Sequence, residues 1–210
     1  MKNFRTLLAV CFLAMTTAVS AQIAKTVDTN GWQGVRLSYN NYTLDERGIE
    51  YDAIPGFEFG FVKAFSISQI HPLFLEAGAS FVYTTGDIFS EDGLDLSLSM
   101  FSLNVPFNVG YKVTLGDNIS LFPYAGLSLK GHLSGDMEMS YYGESETANI
   151  FDEDEMGDDG VFKRFQIGWQ IGATLNIDKF NVGLSYGTDF MEISKNVDTK
   201  TFKVSLGINF

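Results

Sequence analysis

The sequence predicts an all-β chain: an eight-stranded antiparallel up-and-down transmembrane β-barrel behind a cleavable signal peptide. Three observations predict it. Apolar residues alternate with other residues from Gln33 to Phe210, as successive strand side chains do on opposite faces. The second face of that alternation is rich in glycine, serine and asparagine. The links between alternating runs are long and short in turn.

The chain begins with Lys2 and Arg5, an apolar run from Leu7 to Met15 and the small residues Val19-Ser20-Ala21. That order predicts a secretory signal peptide over 1–21, with maturation at about Gln22. A lipoprotein reading built on Cys11 fails, because Val10 is too large for that cleavage site and the apolar run continues beyond it. Cys11 is the one cysteine in the sequence, so the mature chain forms no disulfide. Residues 22–32 are expected to be a short periplasmic lead-in and 33–210 the barrel domain. No later segment approaches the ~18 consecutive apolar residues of a spanning helix. Loss of Lys2 and Arg5 leaves 12 basic against 26 acidic residues, a net of −14, which excludes a nucleic-acid-binding face.

Strands are expected over about 33–42, 56–66, 72–84, 96–113, 119–133, 161–177, 180–190 and 199–210. In FEFGFVKAF (57–65), Phe57, Phe59, Phe61 and Phe65 fall on one side. The sixth run sets Phe165, Ile167, Trp169, Ile171 and Leu175 against Gln166, Gly168, Gln170, Gly172 and Asn176. The last sets Phe202, Val204, Leu206, Ile208 and Phe210 against Lys203, Ser205, Gly207 and Asn209. A soluble calyx and a membrane barrel share such a pattern turned inside out. A wet outer wall would carry many long charged side chains; small polar residues instead suit the cramped interior of a narrow barrel, and the rows of Phe, Leu and Ile then meet lipid. Lys63, on the apolar phase, sits near the short turn at 67–71, from which it can reach the headgroups.

Linker length and charge agree with that orientation. The long links 43–55, 85–95, 134–160 and 191–198 all fall on the side away from both termini, and short links fall at 67–71, 114–118 and 178–179. Membrane barrels have short periplasmic turns and longer external loops, so both termini are expected in the periplasm. The long links hold 20 of the 26 acidic residues and only Arg47 and Lys195 as bases, a net of −18. Tyr39, Tyr42, Tyr83, Tyr111, Phe180, Tyr186 and Phe210, near strand ends, fit aromatic girdles at the two interfaces.

The stretches LNVPFNVGYKV (103–113), FPYAGLSLKG (122–131) and FKVSLGINF (202–210) resemble the PorT-like outer-membrane β-barrel family of Gram-negative bacteria. The resemblance covers essentially the whole mature chain. It implies outer-membrane residence, assembly by the barrel machinery through a C-terminal strand ending in Phe210, and roles from surface proteins to parts of secretion machinery. Fold alone does not choose among these.

The second face carries Arg36, Glu58, Glu76, Lys112, Lys130, Arg164 and Lys203. In a narrow bore such charges must pair or reach water, and a salt-bridged plug is favoured over a path for solutes. The stretch FDEDEMGDDG supplies Asp152, Glu153, Asp154, Glu155, Asp158 and Asp159. Met156 stands where a calcium loop of the EF-hand type needs an oxygen ligand, so a solvated acidic loop is expected and no metal site. His132, Ser134 and Glu146 form the one arrangement with catalytic chemistry: His-x-Ser places both side chains on one strand face, and a carboxylate can orient the imidazole. Their spacing resembles barrel enzymes that deacylate lipid A, although Gly135 replaces that group's asparagine and His132 falls on the bore phase.

No cofactor motif is present. The expected function is a non-enzymatic surface or envelope protein acting through acidic external loops. A narrow cation-preferring channel, a lipid A deacylase-like enzyme and an accessory secretion component are the alternatives. Expected partners are outer-membrane lipids including lipopolysaccharide, the barrel assembly machinery and an envelope or secretion protein.

Overall fold

The computed structural model describes residues 29–46, 49–50, 52–91, 93–142, 144–157 and 161–210. The expected signal peptide, the lead-in as far as Asp28, Arg47, Asp158 and Asp159 lie outside the described residues. The strands are β1 (Gln33–Glu46), β2 (Ile49–Glu50), β3 (Ile54–Ser66), β4 (Leu73–Glu91), β5 (Leu94–Tyr111), β6 (Val113–Thr114), β7 (Ile119–Tyr141), β8 (Glu144–Asn149), β9 (Phe165–Ile177), β10 (Phe180–Asp189) and β11 (Val197–Asn209). A short helix, α1 (Glu153–Met156), follows β8. No described helix is long and apolar enough to cross a membrane.

The eleven strands of the described residues belong to one antiparallel sheet, with neighbours in the order β11-β10-β9-β7-β5-β4-β3-β1-β2; β6 and β8 both pair with β7. β11 also pairs with β1, from Gly34↔Asn209 to Glu46↔Val197, which makes the sheet barrel-like. The expectation of an eight-stranded up-and-down barrel is therefore corrected: among the described residues the sheet has eleven strands. Two of the added strands, β2 and β8, lie in the acidic, glycine-containing stretches 43–55 and 134–160, whose composition, like that of 85–95, reads as loop; the third, β6, arises where the expected run 96–113 breaks at Lys112. Much of each acidic stretch is strand, because β1, β4 and β7 run on past their apolar zone and β2 and β8 pair at the far ends. The link 178–179 is a two-residue hairpin turn; Asp178 has φ 53°, which Asp tolerates and such a turn requires.

Burial shows a change of sense along the strands. On lower β5, Phe107 and Phe101 face outward, 40% and 36% exposed, while Asn108, Asn104 and Ser102 are buried inside. Toward the start of the same strand the pattern turns over: Met100 and Leu98 are buried inside, and Ser99, Ser97 and Asp95 face out. β1 repeats it, with Leu37 and Tyr39 outside and Ser38 and Asn40 inside, then Asp45 outside and Tyr42 and Leu44 inside. Tyr42 thus leaves the expected girdle for the interior, whereas Tyr39, Tyr83, Phe180, Tyr186 and Phe210 are exposed. Lys63 is exposed too, its Nζ 5.2 Å from the Phe65 ring centre.

Two apolar clusters result. The lower one joins Ala64, Phe74 and Phe122 to Trp32 and Tyr124. The upper one gathers Tyr42, Leu44, Ile54, Ile88, Leu98, Met100, Ile150, Phe162 and Ile193. Above the inversion β4, β5, β7 and β8 project as an amphipathic sheet. One face carries rows such as Thr85–Ser99–Asp136–Asn149 and Asp87–Ser97–Glu138–Thr147. The other carries Gly86–Leu98–Met137–Ala148 and Phe89–Leu96–Met139–Glu146.

Candidate functional site

Of the charged residues assigned to the second face, Arg36, Glu58, Glu76, Lys130 and Lys203 point into the interior, as the alternation of their strands requires. At the bottom, Trp32 packs on Phe74 and Phe122, with ring centres 4.8 and 5.0 Å apart, and its Nε1 donates to Glu76 Oε2 at 3.1 Å. Arg36 lies 3.8 Å from the same carboxylate. Lys112 stacks on Trp32, its Nζ 5.6 Å from the ring centre. One level up, Glu58 pairs with Lys203 and accepts from Ser80 Oγ at 2.5 Å and from Asn104 and Asn40 Nδ2 at 3.4 Å each. Four groups converging on one carboxylate satisfy a charge that would otherwise be costly to bury.

A third level was not anticipated. Lys130 Nζ bonds Asp189 Oδ2 at 2.9 Å, Thr199 Oγ1 donates to the same oxygen, and Gln166, with its amide nitrogen turned toward the carboxylate, donates at 2.7 Å. Asp189 carries a signal that alternation holds: it continues the inward series Asn181, Gly183, Ser185, Gly187. Trp32 carries none, since its role depends on a long-range contact. Arg164 departs from expectation. It sits in a bend before β9, exposed, its Nη1 donating to Leu133 O at 3.1 Å and its guanidinium 4.3 Å from the Phe151 ring centre.

Little space is left. Cavities of about 40 Å³ beside Glu58, Lys130, His132 and Lys203, and about 60 Å³ beside Arg36, Glu76 and Gln170, hold a few waters at most. The bore glycines are there for clearance: a Cβ on Gly110 would come 2.6 Å from the Phe122 ring, and one on Gly172 2.5 Å from the Tyr124 hydroxyl. A larger recess, about 620 Å³, opens at the lower mouth below Trp32, lined by Asp117, Asn176, Asp178 and Lys179.

The structure separates the three residues with catalytic chemistry. β7 pairs His132 with Ser102 and Ser134 with Phe101, so Leu133 is an extra residue in a bulge. A bulge shifts the alternation by one. His132 is therefore buried, its Nδ1 2.7 Å from Ser102 Oγ, while Ser134 is exposed on the outside. Glu146, paired with Met139 on β8, is exposed at the other end of the projecting sheet. They form no triad.

In the acidic segment, Asp152 Oδ1 accepts from Asp154 N at 2.9 Å and caps α1, and Glu155 Oε2 accepts from Asn149 N at 2.5 Å. Glu153, Asp154 and Glu155 are exposed. No group of three or more His, Cys, Asp or Glu side chains able to hold a metal occurs among the described residues.

Among solved structures the chain is similar to the attachment invasion locus protein Ail of Yersinia pestis, at 17% identity over 86% of this chain and 99% of that one, TM-score 0.47. It is similar also to Neisserial surface protein A (11% identity, 85% and 97% covered, TM-score 0.44) and to the outer membrane enzyme PagL (14%, 82% and 98%, TM-score 0.45). No curated protein matches it. The PorT-like resemblance finds no specific match; the match is broader. Residues 11–210 match the family model described as outer membrane protein beta-barrel domain, and the chain belongs to that family of outer-membrane β-barrel proteins.

Proposed function

We propose that this chain is a small, non-enzymatic surface protein of the outer membrane, with both termini in the periplasm, acting through its acidic external hairpins. The observation that carries the reading is the filled bore. Aromatic packing around Trp32 blocks the lower end, two ion-paired levels centred on Glu76 and Glu58 fill the middle, and the Asp189 level and the upper apolar cluster seal the top. A solute would have to break buried charge pairs to pass. What remains available to a partner is the projecting, anionic part, together with lipopolysaccharide at the outer interface and the assembly machinery at β11.

Planar-bilayer recordings of refolded protein test it: a silent bilayer is expected, and discrete cation-selective steps would replace the reading with a channel. Mass spectrometry of lipid A with and without the protein is expected to show one acyl pattern, since His132 and Ser134 face opposite ways. Within the family we assign the chain to the PorT-like group, on the three stretches quoted above. Whole-cell cross-linking from the hairpins tests the accessory secretion role which that group includes; cross-links confined to lipopolysaccharide count against it.

A further inference from the structure

The apolar face of the projecting sheet is only partly covered. Its lower rows lie under the upper cluster, where Leu98 is fully buried against a group that includes Ile150, Phe162 and Met156. The cover stops short of the hairpin ends: Met139 is 46%, Tyr141 56% and Tyr142 78% exposed, the two tyrosine rings 4.7 Å apart in an edge-on pair. Apolar side chains gathered at the far end of a soluble projection, remote from the lipid zone, mark a contact surface.

The rim of this patch has one sign. Register puts Glu144 opposite Tyr141 and Glu146 opposite Met139 on the same face, and both carboxylates are exposed. α1 lies beside β8, tied through Glu155 to Asn149 N, and adds Glu153 and Asp154. Neither segment that builds the sheet, 85–99 or 134–157, contains a lysine or arginine.

We infer that this patch docks a cationic amphipathic protein segment: apolar side chains seat on Met139, Tyr141 and Tyr142, and lysine or arginine side chains meet Glu144, Glu146 and the α1 carboxylates. Tyrosine faces also attract such cations, and methionine adapts to varied apolar shapes. A second copy of the chain would bring the same acidic rim against this one, and a phosphate-bearing lipid surface would be repelled likewise. The inference deepens the surface-protein reading and rests on it.

The test uses the full chain in zwitterionic nanodiscs, with empty nanodiscs as baseline, and a fluorescein-labelled lysine/leucine amphipathic peptide read by anisotropy. Binding is expected, weakened about tenfold by M139S/Y141S, as for loss of an interface anchor. E144Q/E146Q is expected to weaken it severalfold and flatten its salt dependence. D87N/D95N removes equal charge from the opposite face and is expected to leave affinity within about twofold. All six positions are on the projecting sheet outside the lower core, and unchanged heat-dependent gel mobility verifies folding. The inference is overturned if D87N/D95N acts like E144Q/E146Q, if leucine-free oligolysine binds as well, or if M139S/Y141S binds like the parent. It is equally overturned if the patch proves to hold a second copy by sedimentation, or anionic vesicles. Failure of these assays with silent bilayers removes the docking site alone; conducting bilayers remove the surface-protein reading beneath it.

Discussion

The lower zone and the projecting zone are made from the same strands with the radial order of polarity reversed. On β5, Phe107 and Phe101 face out and Asn108 and Asn104 face in, yet a few residues toward its start Ser97 and Asp95 face out and Leu98 faces in. β5 runs on through both zones; what changes is the surroundings of its outer face. Where hydrocarbon surrounds the sheet, apolar side chains belong outside and polar groups must be satisfied among themselves inside. Where water surrounds it, the ordinary arrangement of a soluble sheet returns. The outer face changes from apolar to charged at the level of Tyr39, Tyr83, Phe101 and Phe202, beyond which Asp45, Asp87, Asp95 and Lys200 face out, and a membrane boundary at that level accounts for the change.

If the zones differ in this way, the same kind of substitution has different consequences in each. The largest effect is expected inside the lower zone. Glu58→Ala leaves Lys203, whose side chain is only 17% exposed, without its partner and is expected to cost about 3–5 kcal/mol in urea unfolding from lipid vesicles. Replacement of both by methionine is expected to cost much less; equal costs would show a wet bore. In the projecting zone the interior is apolar, so Leu98→Ala is expected to cost about 2–5 kcal/mol, while Ser97→Ala beside it stays within about 0.5 kcal/mol. A negligible Leu98 effect would mean that the upper cluster is not a packed core.

The outer surfaces give the third comparison. Phe59→Arg, in the lipid-facing row, is expected to cost about 2–4 kcal/mol, whereas Ser97→Arg, facing out above the inversion, stays within about 0.5 kcal/mol by the same measurement. Similar costs at both positions would move the membrane boundary. Smallest is the exposed pair: Lys200→Ala, which loses the bond to Asp45 outside the sheet, is expected to change stability by about 0–1 kcal/mol and by less in high salt.

How much of this was legible in the sequence varies from residue to residue. Glu58, Glu76, Arg36, Lys130 and Lys203 were placed inside by alternation alone, because a period of two assigns faces without any knowledge of pairing. Asp189 lies on the same phase of β10. His132 and Ser134 were put on one face because the bulge at Leu133 has no local signature; it exists only as a mismatch between β5 and β7. The acidic stretches read as loops because charge on a strand's solvent face looks like charge in a loop until a partner strand is known.

By itself the sequence determined the strand periodicity, the two opposed faces and the anionic end, since those follow from side-chain chemistry repeated every second residue. Tertiary structure alone decided the eleven-strand pairing, the carboxylate each cation meets and the insertion of Trp32 beneath Glu76. The reason is that register and closure are set by contacts between residues far apart in the chain, and a one-residue shift reassigns every side chain beyond it.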